Sequence, residues 1–150
     1  MKKLKIYLDS CCFNRPFDAL SQDLVRLECE AVLAIINKCE AGVWDVFESD
    51  VLDDEFDRMT NLTKKQKIME LYSSSSLYIE INDEIISRAK EFHKLNIKPF
   101  DALHLASAEY GGADILLTTD KKFINIAAVS NAKVKVLNPA IWLMEVLYND

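Results

Sequence analysis

Short apolar stretches alternate with longer amphipathic segments along the whole chain. The short stretches are rich in β-branched and aromatic residues, as buried parallel strands are, and no two of them follow one another directly. The predicted strands are residues 4–8, 44–47, 77–81, 115–117 and 134–137. Because a helical pattern separates each strand from the next, the sequence predicts an α/β fold, a single α/β/α sandwich with a mostly parallel five-stranded sheet.

The amphipathic segments have the period of α-helices. The predicted helices are residues 23–40, 51–59, 64–72, 84–95, 99–110, 121–128 and 140–148. In the longest of them, one apolar face is predicted to enter the core. That face consists of Leu24, Leu27, Ala31, Ala34 and Ile35. Gly42 and the pair Gly111-Gly112 are expected to end helices, Pro99 is expected in a first helical turn, and residues 73–76 are predicted to form a loop.

Length and composition indicate one domain over residues 1–150. Half of the 150 residues are hydrophobic, which suits a single core. No apolar run approaches the roughly 20 residues that cross a bilayer, and a lysine-rich start leads directly into the first strand rather than into a secretory segment. We therefore expect a cytoplasmic protein with no membrane partner.

Cysteine spacing and missing motifs narrow the chemistry. Cys11, Cys12, Cys29 and Cys39 form no C-x-x-C pair, which favours reduced thiols over disulfides or a zinc site. The chain contains no phosphate-binding or dinucleotide-binding glycine motif, no H-E-x-x-H and no G-x-S-x-G. The net charge of −6 would repel a polyanion on average, although it says little about a local site.

Four carboxylates each lie at or just beyond the end of a short apolar stretch: Asp9, Glu55, Asp101 and Asp120. If the strands before Asp9 and Asp120 are neighbours in a parallel sheet, both acids emerge at its carboxyl edge. Carboxylates a few ångströms apart raise one another's pKa unless a cation compensates, so convergence would indicate a Mg²⁺ or Mn²⁺ site. Such ions support phosphodiester hydrolysis by a metal-activated water.

Each acid also has an ordinary structural explanation. Asp9 could bond to its own backbone in a turn, and Glu55 could be a solvated helix residue. Asp101 could interact with the dipole of its helix, and Asp120 could cap the helix that follows it. None of these explanations requires the four acids to meet, so their convergence is the hypothesis that the structure tests.

The segments that carry these acids resemble the motifs of the PIN domain family, the nuclease fold of VapC-like toxins in bacterial and archaeal toxin–antitoxin systems. Four motifs match in order over essentially the whole chain. They are Tyr7-Leu8-Asp9-Ser10, the segment from Ser49 to Glu55, the segment from Phe100 to Ala108, and Leu117-Thr118-Thr119-Asp120 leading into Phe123. Each motif is short, but the set at this spacing is fairly specific.

The resemblance implies roles for individual residues. Asp9, Glu55, Asp101 and Asp120 correspond to the acidic metal-binding and catalytic quartet of the family. Ser10 and Thr118 match polar positions that support the pocket. Arg15, in a loop that resembles one family subgroup, could meet a substrate phosphate or be an unpaired surface arginine.

The resemblance also implies an activity and partners. It predicts a Mg²⁺- or Mn²⁺-dependent endoribonuclease that cleaves single-stranded RNA, like the toxin of a type II toxin–antitoxin system. RNA rather than DNA rests on the resemblance alone. A cognate antitoxin and a homodimer are the protein partners that it implies.

Several alternatives remain open in the sequence. Asp53, Asp54 and Glu55 are adjacent, and a shift of one position rotates a helical side chain by about 100°. His104 could orient Asp101, bind the metal or be a satisfied buried histidine. The apolar face of the last helix could pack on the sheet or serve an interface.

Two other functions compete with the nuclease. One is a catalytically inactive PIN-like module that binds a protein or RNA partner. The other is a small-molecule phosphatase with Asp9 as its nucleophile, which the sequence disfavours because Cys11 stands where such an enzyme has a second aspartate.

Overall fold

Five parallel strands form one sheet in the computed structural model, which describes residues 3–72 and 77–149. The strands are β1 (Lys5–Leu8), β2 (Asp45–Ser49), β3 (Leu77–Ile79), β4 (Ile115–Leu117) and β5 (Val136–Leu137). Their order across the sheet is β3-β2-β1-β4-β5. In the central strand, Ile6 pairs with Val46 on one side and with Ile115 on the other. The predicted α/β fold is confirmed, with a sheet that is parallel throughout.

Eight α-helices connect and follow the strands in the described residues. They are α1 (Ser10–Asn14), α2 (Asp23–Glu40), α3 (Asp50–Asp57), α4 (Leu62–Tyr72), α5 (Asp83–Lys94), α6 (Pro99–Tyr110), α7 (Lys121–Ala128) and α8 (Pro139–Tyr148). A short 3-10 helix, Arg15–Phe17, follows α1. Over these residues, no helix is both long enough and apolar enough to cross a membrane.

Helices cover both faces of the sheet. Successive side chains of a strand point to opposite faces, yet Ile6, Tyr7 and Leu8 of β1 are all buried, and so are all three residues of β4. The hydrophobic pattern of these strands is therefore continuous rather than alternating, as expected for parallel strands at the centre of a sandwich. The residues that follow β1 and β4 lie at the carboxyl edge of this buried centre.

Local signals place most of the element ends. The bounds of α2, α6, α7 and β4 agree with the predicted segments. Gly42 has a φ of 80° and Gly112 a φ of 74°, which is the left-handed conformation expected just beyond a helix end. The predicted strand 77–81 ends at Ile79, because the N–H of Ile81 donates instead to Asp50 Oδ2 at 2.7 Å.

The ends of two other strands also differ from the predicted ends. The predicted strand 44–47 begins at Asp45 and continues to Ser49, since Glu48 and Ser49 find partners in β3. The predicted strand 134–137 shortens to two residues. Helix α1 was missed because five residues are too few to show a helical period. The predicted loop at 73–76 lies outside the described residues.

The predicted buried face of α2 is partly wrong. Leu24 and Leu27 are 61% and 53% exposed, whereas Glu28 is 1% exposed. The Glu28 carboxylate accepts hydrogen bonds from Arg15 Nε at 2.8 Å and from Asn138 Nδ2 at 2.6 Å. These bonds offset the cost of burying its charge, so a glutamate occupies a position that periodicity alone assigns to an apolar side chain.

Candidate metal centre

Asp9 lies directly beyond β1 at the carboxyl edge of the sheet. Its N–H donates to the carbonyl of Leu117 in β4 at 2.9 Å, so the two strand ends are tied together. Its Oδ1 accepts from the N–H of Ser10 at 2.7 Å, and its Oδ2 accepts from Thr118 Oγ1 at 2.8 Å. Asp9 does bond to its own backbone turn, and β1 and β4 are neighbours, which is the condition under which Asp9 and Asp120 emerge at the same edge. These bonds hold a 6% exposed carboxylate in place.

Glu55 reaches this edge from α3. The Ser49 side chain caps α3 by accepting from the N–H of Leu52 at 3.1 Å, and Glu55 follows on the same helix. Glu55 Oε2 accepts from Ser10 Oγ at 3.0 Å, and its Oε1 is in close contact with His104 Nε2. Ser10 thus lies beside both Asp9 and Glu55.

The neighbouring acids of α3 have other partners. Asp53 accepts a hydrogen bond from Tyr72 Oη at 2.7 Å, and Asp54 pairs with Arg58 at the surface at 3.1 Å. Of the three adjacent acids, Glu55 is the one whose contacts join the Asp9 region.

His104 on α6 links Glu55 to a buried hydrogen-bonded chain. Its Nε2 contacts Glu55 and lies 3.6 Å from Asp9 Oδ1. Its Nδ1 lies 2.6 Å from Tyr7 Oη, which in turn lies 2.8 Å from Ser49 Oγ. His104, Tyr7 and Ser49 are all fully buried. His104 therefore positions Glu55, not Asp101, although the sequence places it one turn after Asp101.

The Glu55–His104 pair favours the charged forms of both side chains. Burial by itself would raise the pKa of Glu55, but the hydrogen bond from His104, its positive charge and the Ser10 bond lower that pKa overall. Burial by itself would lower the pKa of His104, but the Glu55 hydrogen bond and the nearby carboxylates raise it. The pair thus keeps the Glu55 carboxylate ionised beside Asp9, with His104 as its counter-charge.

Asp101 and Asp120 are outer members of the acidic cluster, since the ligand atoms that lie within 4.8 Å of one another belong to Asp9, Glu55 and His104. Asp101 lies in the first turn of α6, where burial first, and then the charges of Asp9 and Asp120, raise its pKa to about 6. Asp120 caps α7, since its Oδ1 accepts from the N–H groups of Lys122 at 3.0 Å and Phe123 at 3.3 Å. Its Oδ2 accepts no hydrogen bond from the described residues. The four acids named by the sequence therefore share one electrostatic neighbourhood.

Arg15 is engaged elsewhere, so the expectation of an unpaired surface arginine is wrong. Besides its bond to Glu28, its Nη1 donates to Asp18 Oδ2 at 2.9 Å, and its side chain is only 24% exposed. These donors fasten the 3-10 helix to α2. Because the guanidinium group already has two carboxylate partners, we leave Arg15 out of the site proposed below.

Three residues that support the site were not predicted to do so from the sequence. Tyr7 and Ser49 carry the chain behind His104, and Cys11 Sγ lies 3.3 Å from Thr118 Oγ1 and 3.6 Å from Asp9 Oδ2. Tyr7 looked like an ordinary apolar strand residue, and nothing local distinguishes it. For Ser49, the fixed spacing of six residues before Glu55 was the available signal.

The family follows from the comparison with known proteins. The chain matches the family model described as the PIN domain over residues 6–129. The chain belongs to the PIN domain family. That stretch contains all four acids, His104 and both supporting hydroxyl groups. No curated protein matches the chain in sequence.

Solved structures share the PIN domain fold. The VapBC2 complex of Rickettsia felis, bound to a DNA fragment from its promoter, contains a chain with a TM-score of 0.61 and 14% identity, covering 90% of this chain and 98% of that one. PAE2754 of Pyrobaculum aerophilum has a TM-score of 0.54 and 14% identity, covering 98% of this chain and 91% of that one. At this level of identity, the likeness concerns the fold.

The acids of this PIN domain suit a hard divalent cation. One ligand atom from each of Asp9, Glu55 and His104 lies within 4.8 Å of the others. Asp101 and Asp120 lie outside that group, but they carry carboxylate oxygens, the ligands that Mg²⁺ and Mn²⁺ prefer. Burial is the main cause of the raised pKa of Asp101, and repulsion from Asp9 and Asp120 adds to it; a bound cation would relieve that repulsion.

Proposed function

We propose that this PIN domain is a metal-dependent endoribonuclease that hydrolyses phosphodiester bonds of single-stranded RNA, as the toxin of a type II toxin–antitoxin system. The observation that carries the proposal is the meeting of Asp9 and Glu55 beside His104 at the carboxyl edge of the sheet, with Asp101 near enough to sense the charges of Asp9 and Asp120. Family membership supports the nuclease class. The four cysteines are free thiols, in keeping with the cytoplasm as the place of action.

Asp9, Glu55, Asp101 and Asp120 would hold one or two Mg²⁺ or Mn²⁺ ions, directly or through water. When bound, such an ion polarises a phosphoryl oxygen and favours ionisation of a water molecule. Binding requires a deprotonated Asp101, so its pKa of about 6 leaves this ligand largely ionised at neutral pH.

The remaining side chains position these ligands. Thr118 and Ser10 hold the Asp9 carboxylate through its two oxygens, and Ser10 also bonds to Glu55. His104 keeps Glu55 ionised and fixes its orientation, while Tyr7 fixes the imidazole ring. A buried carboxylate that is already oriented loses little conformational entropy when it binds an ion.

The test is cleavage of labelled single-stranded RNA in Mg²⁺, Mn²⁺ or EDTA by the purified chain and by Asp9→Asn and Asp120→Asn. Asparagine caps helices as well as aspartate does, so both variants should fold. Asp83→Asn, an exposed first-turn residue of α5, is the matched control. We expect the control to cleave like wild type and the site variants to lose metal-stimulated cleavage. Equal cleavage by folded Asp9→Asn would remove Asp9 from the mechanism, and equal cleavage by all preparations would identify a contaminating ribonuclease.

A homodimer and an antitoxin are the protein partners of the proposal. Apolar side chains of two packed helices support an interface, since Leu24 and Leu27 of α2 and Ile141 and Met144 of α8 are all more than half exposed. In α8, Trp142 and Leu143 pack into the core, whereas Ile141 and Met144 stay exposed and are available to the proposed interface. Light scattering of Met144→Glu against wild type tests the dimer, and a monomeric wild type would reject it.

A catalytically inactive PIN module is the second candidate. It is favoured by one observation, that both oxygens of Glu55 already have partners within the chain, His104 and Ser10. A titration of Mn²⁺ separates the two candidates. Absence of Mn²⁺ binding by a folded protein that still binds RNA would support the module.

A further inference from the structure

A cation–aromatic pair lies at one end of the acidic cluster. The guanidinium carbon of Arg58 is 5.4 Å from the centre of the Phe100 ring. Arg58 follows Glu55 by three positions at the end of α3, and Phe100 directly precedes Asp101 at the start of α6. Helical side chains three positions apart lie on the same side, so Arg58 follows Glu55 by about one turn of α3, a rise of roughly 5 Å.

The pair is accessible from solvent. The Arg58 side chain is 69% exposed, and Phe100 is partly exposed. The only polar partner of Arg58 among the described residues is Asp54, at 3.1 Å and itself 52% exposed. Exposed ion pairs four positions apart contribute about 0.3–0.5 kcal/mol, so Arg58 is held weakly and can exchange this partner.

Other arginines of the described residues do not combine these properties. Arg88 also lies over a ring, that of Phe92 at 4.1 Å, but both of its terminal nitrogens and its Nε are bonded and its side chain is only 19% exposed. Arg26 is 48% exposed but pairs with Asp23 and lies over no ring in the part of the chain that the structure describes. Among the arginines that the structure describes, Arg58 alone presents an available planar cation on an aromatic ring.

We propose that Arg58 and Phe100 form a stacking site for one base of single-stranded RNA, next to the phosphodiester bond that reaches the acids. This inference rests on the proposed function, and it identifies the residues by which the nuclease site would select single-stranded RNA. Aromatic rings and guanidinium groups stack on any unpaired base, whereas the bases of a duplex are already stacked on each other. The pair therefore favours single strands over duplexes without reading a particular sequence.

Positive side chains near Phe100 also favour RNA binding at this position. The chain carries a net charge of −6, and the acidic cluster would repel a phosphate backbone. The exposed Lys98 is the N-cap residue of α6, two positions before Phe100, and its charge reaches Asp101, so a second cation lies at this end of the cluster. Arg58 and Lys98 together offset repulsion of the phosphates that flank a stacked base.

The test measures binding separately from cleavage. Fluorescence anisotropy in EDTA follows a labelled single-stranded RNA of about 12 nucleotides and a duplex of the same length. The variants are Phe100→Leu, which removes the flat ring, Phe100→Trp, which keeps one, and Arg58→Ala, with Arg26→Ala as a charge-matched control. Thermal melting confirms that each variant is folded.

We expect Phe100→Leu to weaken single-strand binding by about 5- to 150-fold, the range for loss of one stacked base. Phe100→Trp should bind at least as well as wild type, and Arg58→Ala should lose more affinity than Arg26→Ala. Duplex binding should change by less than about twofold in the Phe100 variants. The inference is overturned if folded Phe100→Leu binds the single strand like wild type, or if it loses single-strand and duplex binding equally.

Parallel incubation with Mn²⁺ keeps the two proposals distinguishable. If wild type cleaves RNA while Phe100→Leu binds normally, the stacking site is rejected and the nuclease remains. If wild type neither binds nor cleaves RNA, both proposals are rejected.

Discussion

Replacing Asp101 by asparagine should stabilise the protein when no metal is present. Burial and the charges of Asp9 and Asp120 raise the pKa of Asp101 from 3.8 to about 6, so its ionised form is unfavourable in the folded protein. Between these two pH values the folded state binds more protons than the unfolded state. The free energy of unfolding therefore falls as pH rises from about 4 to about 6, and it stays lower at neutral pH. Asparagine carries no charge and avoids this loss.

The magnitude follows from the same pKa. A tenfold change in an acid dissociation constant is worth about 1.4 kcal/mol, so the rise to about 6 sets an upper limit of about 3 kcal/mol. Asp101 is only partly buried, so solvent screens part of this energy. The substitution also removes a favourable interaction with the α6 dipole of about 0.3–1 kcal/mol. At neutral pH, we expect the free energy of unfolding of Asp101→Asn to be about 1–2 kcal/mol higher than that of wild type.

Urea denaturation in EDTA at about pH 4.5 and pH 7.5 measures this effect. The advantage of Asp101→Asn should be present at pH 7.5 and small at pH 4.5, and added Mn²⁺ should stabilise wild type more than the variant. Asp83→Asn is the control, because it removes an exposed first-turn charge of α5 and should change stability by less than about 1 kcal/mol. A variant less stable than wild type at pH 7.5, or an advantage equal at both pH values, would refute the electrostatic convergence.

Three further substitutions test the framework around the site. Tyr7→Phe removes the hydroxyl group that lies 2.6 Å from His104 Nδ1, so urea denaturation should show a loss of about 1–3 kcal/mol, and unchanged stability would contradict the buried chain. Arg15→Ala leaves the 1% exposed Glu28 without its cation, and the same assay should show a free energy of unfolding that is lower by about 2–4 kcal/mol. The double variant that also carries Glu28→Gln should recover part of this free energy. If it recovers none, the unpaired charge of Glu28 is not the cause of the loss. Gly42→Ala places a methyl group at a residue with a φ of 80°, where no other atom lies within 4 Å of the added Cβ. The melting temperature should fall by the equivalent of about 1 kcal/mol, and the cause would be backbone strain alone. An unchanged melting temperature would contradict this.

Features that depend on a few adjacent residues could be predicted. Asp120 caps α7, Gly42 follows the end of α2, and Pro99 begins α6, each where turn and cap preferences place them. The continuous apolar runs around Ile6 and Leu116 indicated buried parallel strands, and that prediction is confirmed. These signals act over one helical turn or one strand, so the packing of distant segments does not change them.

Contacts between residues that are far apart in the sequence depend on how the helices and strands pack, so they could not be predicted. Glu55 and His104 are separated by 49 positions, and Tyr7 and His104 by 97. Arg15 and Glu28 meet because the 3-10 helix packs against α2, which also turns Leu24 and Leu27 toward solvent.

The sequence by itself determined the alternation of strands and helices, the parallel sheet and four candidate acids at the ends of short segments. Only the tertiary structure decided that Glu55 rather than Asp53 or Asp54 joins Asp9, that His104 holds Glu55, and that Arg15 is internally paired. The physical reason is that periodicity reports the polarity of a position, whereas the partner of a polar side chain depends on how separate elements pack together.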